Sequence, residues 1–428
     1  MKKYKLGELL DVTRGASLSG EYYSTEGEFL RLTLGNFDYQ NGGFKENTSK
    51  DDLFFTGTVK PQFILNEGDI ITPLTEQTQG LIGSTARIPQ SGVYIQSQDV
   101  GLVKCNGELL DPDFCYYLLP SQIVKKQLSA GAQQTKIRHT SPDKIKDVTV
   151  FLPELSEQRK IGHILRSIDS QIDNLTAINR NLEQVARQLY DYWFVQFDFP
   201  NHDGKPYKSS GGEMVWNEKL KREIPTNWKS SSITAIADIL SGGTPSKSVD
   251  EYWNGTIPFF GPTDVGYSIF QIDTKEHITQ SGLEHCASSL FDEGTIIITA
   301  RGSIGKLVVV GKQMAMNQSC YALHPKNGEF EYLFFLTIEL IEHLKQKGSG
   351  SVFKSIIAID IETSWLSIAP NSIIKDFCKV CSPIFKKIKE NTIEIDRLQR
   401  LRDELLPMLL NGQVNCDLVY IGITKFHQ

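Results

Sequence analysis

Apolar positions recur along the chain with two different rhythms. Across residues 154–196 the spacing alternates between four and three. Ile161, Leu165, Ile168, Ile172, Leu175, Asn179, Leu182, Ala186 and Leu189 form one heptad row. The same rhythm returns in Phe377, Cys381, Ile384, Ile388, Asn391, Ile395, Leu398, Arg402, Leu405 and Leu409. A heptad row needs a partner helix, and each of these predicts the other. Asn179 and Asn391 interrupt the apolar rows, and a buried Asn is costly unless it meets another polar group, so the pair is placed to fix register. Arg402 is expected to snorkel outward, and Pro383 to kink the second helix near its start. Ser156, followed by Glu157, Gln158 and Arg159, reads as the cap of the first helix, whose pattern continues to about Trp193. A helix of ~36 residues is ~54 Å long.

Elsewhere the apolar runs are short, strand-like and duplicated. Leu65 to Thr72 is answered by Phe291 to Ile298, each an acidic-Gly turn running into an apolar strand. Gly15 with Tyr22 and Tyr23 matches Gly242 and Gly243 with Tyr252 and Trp253. Phe29 to Thr33 matches Ile257 to Gly261, and Gly131 to Pro153 matches Gly348 to Pro370 without a gap. The prediction is an α/β (α+β) chain of two similar domains, related by a pseudo-two-fold repeat and separated by two long antiparallel coiled-coil helices. Its parts are a first domain, 1–153; a first helix, 154–196; a Gly- and Pro-rich linker, 197–227; a second domain, 228–370; a second helix, 371–412; and a tail, 413–428.

Composition narrows the function. Among 428 residues, 45 basic side chains stand against 51 acidic ones, a net charge of -6. That excludes coating nucleic acid by bulk attraction, so any DNA contact must be local. The 7 cysteines form no framework, which suits a reducing compartment. Cys378 and Cys381 lie within a helical pattern without a second pair, which favours core thiols over a zinc site. No apolar run approaches the ~20 residues of a membrane span, and no apolar stretch follows the basic start, so the expected location is the cytoplasm and no membrane partner is expected. Gly302 to Lys306 lacks the spacing and the hydroxyl of a phosphate loop, and a hairpin turn with a solvated Lys fits it better. Dinucleotide, nucleophile-elbow, amine-methylating and Mg²⁺-nuclease motifs are also missing from the sequence. A non-catalytic chain with no cofactor or metal of its own is expected. Two readings remain: a coiled-coil scaffold that never touches DNA, or a ruler recognising two separated sites on one extended polymer such as DNA.

The central stretch Leu189 to Pro200, with Gly204 to Lys208, Gly211, Gly212 and Leu220 to Pro225, resembles the specificity subunits of Type I restriction-modification systems. Glu157 to Ile161 is similar to that family's entry to its first long helix, and Leu401 to Pro407 with Gly412 to the close of the second. Gly242 to Ser246 and Asn317 to Ser319 resemble motifs of its second target-recognition domain. In the first domain, Arg14 to Ser17 stands for Gly-Gly-Thr-Pro, and Gln96 to Gln98 for Asn-Gln-Ser. The resemblance implies two domains, each reading half of a split asymmetric site on double-stranded DNA. It also implies partners: two modification subunits carrying S-adenosylmethionine, and restriction subunits carrying ATP- and Mg²⁺-dependent translocation and cleavage.

Base edges are read by Arg, Lys, Asn, Gln, Ser or Thr on rigid supports. The candidates are Arg14, Ser17, Gln77, Gln79, Lys136 and Arg138 in the first domain, and Thr244, Ser246, Thr263, Arg301, Ser303 and Lys306 in the second. Ile164, Ile178, Val185 and Ile393 lie off the helix seam and are expected to dock modification subunits.

Overall fold

The computed structural model describes residues 1–38, 42–76, 81–130, 138–347 and 355–414. The chain forms two compact units: Met1–Ser170 with the chain from Leu398 onward, and Gln171–Arg397. The long helices, Leu155–Tyr190 and Asn371–Leu410, are therefore shared between units rather than standing apart. The cause is packing. In the second unit Phe377, Cys381, Phe385 and Ile388 join one apolar core with Phe334, Phe335 and Leu340 of the helix Phe330–Lys347.

Each unit is built on a mostly antiparallel sheet with the same strand order. In the first the order is Leu10–Arg14, Val100–Cys105, Ile70–Pro73, Ala86–Arg87. In the second it is Ala237–Ser241, Cys320–Pro325, Ile296–Thr299, Leu307–Val310, with Phe270–Gln271 added in parallel at the edge. Ile296 and Ile298 face one apolar core while Ile297 faces another with Val308 and Met316, so alternation along the strand fills both faces. The entry and exit strands also pair, Lys2–Lys5 with Thr149–Leu152 and Lys229–Ser231 with Leu366–Ile368. That pairing brings the chain out of each domain directly into a long helix. The repeated acidic-Gly turns agree in detail, with Gly68 at φ 84° and Gly294 at φ 83°, a backbone that only Gly adopts without strain. Their amides donate to Ile88 and Val310 respectively, each at 2.9 Å.

Within the second unit the long helices run antiparallel. Tyr190 meets Phe377 with ring centroids 5.9 Å apart, while Asn179 meets Asn391 further along. The Asn391 amide donates to Asn179 Oδ1 at 2.8 Å, and Asn179 Nδ2 donates to the Ile388 carbonyl at 3.4 Å. Both Asn side chains are buried. All the predicted seam residues are buried or half-buried: Ile161, Leu165, Ile168, Ile172, Leu175, Asn179, Leu182 and Leu189 on the first helix, and Ile384, Ile388, Asn391, Ile395, Leu398, Leu405 and Leu409 on the second. Among the described residues no helix is long and apolar enough to cross a membrane. Cys378 and Cys381 are core residues, and burial pushes both thiols up, Cys381 to about 12.

The structure corrects four expectations. Arg402 does not snorkel: its side chain is 15% exposed and pairs with Asp169 at 2.9 Å, while Tyr117 donates to the other carboxylate oxygen at 2.5 Å. An aspartate already held by a buried tyrosine gives the guanidinium a better partner than water. Ser156 is not the helix cap, because the helix begins at Leu155 and the Glu154 carbonyl accepts its first amides. Ile164 is 1% exposed, packed inside its own unit, and so is not free for a partner. Residues 197–227 include regular structure, the hairpin Met214–Asn217 with Arg222–Pro225. Phe199 stacks on Tyr207 and Trp228 there, and Asp198 accepts from the Ser209 amide and hydroxyl, bonds that hold its carboxyl below the usual range. The second helix runs on through Pro383, which lies exposed.

Replacing Asn179 by Leu strands the Asn391 amide in the seam, and urea unfolding should show a loss of about 1 to 3 kcal/mol. The double variant Asn179→Leu with Asn391→Leu should recover most of it. A single variant as stable as the parent would show that the amide pair holds nothing.

Candidate nucleic-acid interface

At one end of each sheet the strand-connecting loops are tied together through the backbone, and the ties correspond. In the first unit the Ala16 amide donates to the Gln96 carbonyl at 2.9 Å, Leu74 to Asp99 at 2.8 Å and Thr140 to Leu74 at 3.0 Å. In the second, Gly243 donates to Met316 at 3.1 Å, Ala300 to Ser319 at 2.8 Å and Ile356 to Ala300 at 3.0 Å. Two glycines permit this approach. A Cβ on Gly15 would stand 2.4 Å from the Gln96 and Ser97 carbonyl oxygens, and one on Gly242 would stand 2.1 Å from the Asn317 oxygen.

These ties shift the match between the domains by one residue from the motif alignment. Gly15 corresponds to Gly242, Ser17 to Thr244, Ser97 to Asn317 and Gln98 to Gln318. Gln96 takes the place of Met316 and is structural: its buried side chain donates to the Thr13 and Val100 carbonyls at 2.7 and 2.9 Å.

The candidate residues described in the structure belong to this loop end. Arg14 and Ser17 are exposed at the end of, and just beyond, the strand Leu10–Arg14. Arg138 begins the short strand Arg138–His139, paired with Thr75–Glu76. Gln77, Gln79 and Lys136 lie outside the described residues. In the second unit Thr244 donates its hydroxyl to Gln318 Oε1, and Ser246 lies 2.8 Å from Ser248 Oγ. Exposed Thr263 sits in a loop pinned by Asp264, which accepts from the Gly261 amide at 2.8 Å and the Lys275 amide at 3.1 Å. Arg301, Ser303 and Lys306 are exposed on the hairpin turn between Ile296–Thr299 and Leu307–Val310. The Thr299 hydroxyl secures that turn by donating to the Ser303 carbonyl while accepting the Lys306 amide at 3.0 Å. Beneath the loops, burial and then the Asp264 charge push the Cys320 thiol up to about 12, so it stays protonated and is no nucleophile.

The first unit adds a cavity of about 390 Å³ whose wall includes Arg31, Lys45, Asn47, Lys50 and Gln98. Arg31 is set firmly, donating to the Asp52 carbonyl at 3.1 and 2.9 Å and lying 3.7 Å over the Tyr23 ring. None of these was singled out from the sequence, because they come from segments far apart in the chain. Only the position of Gln98 in a repeated motif offered a signal. The Arg31 guanidinium is buried and paired with the Asp52 carboxylate at 3.2 Å, so it braces the wall, while exposed Lys50 and Gln98 are the groups able to donate to an anionic polymer.

Comparison with known proteins shows the family of the chain. The chain matches the Type I restriction modification DNA specificity domain over residues 1–184 and 225–399. It is 26% identical to the Type I restriction enzyme MjaIX specificity subunit of Methanocaldococcus jannaschii, over 71% of this chain and 69% of that one. It is 25% identical to the HindI specificity subunit of Haemophilus influenzae, over 75% and 81%. The S subunit of a Type I restriction-modification system from M. genitalium shares the fold at a TM-score of 0.57 and 17% identity, covering 95% of each chain.

Gly242→Ala should cost about 1 to 3 kcal/mol by overpacking against backbone that cannot yield. Gly266→Ala, placed where a Cβ meets nothing within 4 Å, should cost far less. Paired urea titrations of the two variants check this, and equal losses would mean that the loops are not held by close approach at Gly242.

Proposed function

Because this chain belongs to the family of Type I restriction-modification DNA specificity domains, we propose that it is the sequence-recognition component of such a complex, each unit reading one half of a split, asymmetric DNA site. The observation supporting this is the duplicated loop end, where the same backbone frame carries exposed Arg14 and Ser17 in the first unit and exposed Ser246, Thr263, Arg301, Ser303 and Lys306 in the second. Arg14, Arg138, Arg301 and Lys306 suit guanine O6 and N7 or phosphates, and Ser17, Thr244, Ser246, Thr263 and Ser303 supply hydroxyls to either. The chain is not itself a catalyst. S-adenosylmethionine, ATP and Mg²⁺ then belong to partners, two modification subunits and the restriction subunits. Those partners also supply phosphate contacts that a chain of net charge -6 cannot supply in bulk. Ile178, Val185 and Ile393, each 44% or 45% exposed on the long helices, offer apolar footing for the modification subunits.

The long helices act as the ruler. At 1.5 Å per residue the 36 residues of Leu155–Tyr190 span ~54 Å, an upper bound of ~16 base pairs. Reading one face of the duplex places half-site centres ~10 to 10.5 base pairs apart.

Exchanging residues 228–370 for those of a relative, in the complex with modification subunits, should change one block of the methylated motif and leave the other intact. A scaffold that never reads DNA would leave both blocks unchanged. Arg301→Ala should cost about 1 to 3 kcal/mol of discrimination at one position of the site, and a loss equal across all sequences would make Arg301 a phosphate clamp instead. Four residues inserted between Leu175 and Asn179, balanced by four between Ile388 and Ile395, should lengthen the unread spacer by one or two base pairs, since they add ~6 Å of helix. Methylome sequencing reads that spacer, and an unchanged gap would remove the helices from the role of ruler.

A further inference from the structure

The two units keep one polar pair in common at the loop end, Ser17 with Gln98 and Thr244 with Gln318. The backbone ties make these positions equivalent. Around them the units have diverged: Arg14 corresponds to Ser241, Leu18 to Pro245, Asp99 to Ser319 and Thr75 to Arg301. Shared glycines at 15 and 242 are explained by steric closeness. Shared glutamines are not, because Gln98 and Gln318 are exposed and no core packing requires them.

Domains that read different base blocks must differ where they touch base edges, and they can agree where the thing touched is the same in both halves. In duplex DNA that common element is the sugar-phosphate backbone. The second unit shows the matching chemistry. The Thr244 hydroxyl donates to Gln318 Oε1, which takes one of that oxygen's two lone pairs, while the two N–H donors of the same amide meet no partner among the described residues. A phosphate oxygen only accepts hydrogen bonds, so it fits those free N–H donors, whereas bidentate reading of adenine would also call on the oxygen that Thr244 already engages.

Resting on the recognition reading above, we infer that Gln98 and Gln318, the latter held in place by the Thr244 hydroxyl, are sequence-independent contacts to the DNA backbone that set the register of each half-site. Base reading falls to the diverged positions around them, Arg14 and Arg301 foremost.

The test uses the assembled methyltransferase complex, a duplex carrying its methylated motif, every single-base-pair variant of that motif and an unrelated duplex, each titrated over a range of salt. Gln318→Ala should weaken all duplexes together by roughly tenfold, the loss of one hydrogen bond to a charged group, without changing their ranking. Gln318→Lys should restore binding at low salt and steepen the log-log salt slope by about 0.9, as one added phosphate contact does. Gln98→Ala and Gln98→Lys should repeat this pattern. A changed preference at one base pair would overturn the inference in favour of base reading. A Lys variant that binds no better than Ala, with a lowered thermal midpoint, would overturn it in favour of a purely structural amide. A parent complex that ranks no duplex above another would overturn the recognition reading itself, and this inference with it.

Discussion

A heptad seam made only of apolar side chains tolerates slippage, and the fold depends on preventing it. In the second unit the prevention is the buried Asn179–Asn391 hydrogen bond, reinforced where Thr392 Oγ1 donates to the Ile388 carbonyl at 2.7 Å and lies 2.8 Å from Ser268 Oγ. Shifting the helices would leave two amides buried without partners, at a cost of a few kcal/mol. The first unit has its own polar lock, Tyr117 and Arg402 on the two oxygens of Asp169. Each domain is thus fastened to its portion of the long helices by groups whose geometry admits one register.

The same economy governs the loop ends. Backbone hydrogen bonds and close glycine approaches hold the frame, so the side chains on top are free to vary between the copies without disturbing the support. Thr299 illustrates the division. Its own hydroxyl organises the turn, and Arg301, Ser303 and Lys306 are left facing outward. A recognition surface built this way changes what it reads by substitution on a constant scaffold.

The central aromatic block, the strongest family signal in the sequence, has a structural explanation. Tyr190, Trp193, Phe194, Phe197 and Phe199 are buried in the core of the second unit against Trp228, Tyr332 and Phe377. The first helix ends there in a π-helical turn, Asp191–Val195, and Phe197 adopts φ 65° as the chain leaves it. The motif is a packing requirement at a helix exit rather than a DNA contact, and for that reason it gave the family while leaving the reading residues unmarked.

The sequence by itself determined the two-copy plan, the two long helices and their seam, and the positions of the two buried asparagines, because hydrophobic period and turn chemistry act locally. It also pointed to the loop ends, through repeated glycines and polar triplets. Only the tertiary structure decided that Arg402 turns inward to Asp169, that Ile164 is buried, that Ser97 rather than Gln96 matches Asn317, and that Arg31, Lys45, Asn47 and Lys50 share one cavity. Each of those facts depends on which distant segments meet. Residue spacing carries no record of that, since an arginine at a seam position or a lysine in a loop has the same local sequence signature whether or not a partner waits across the fold.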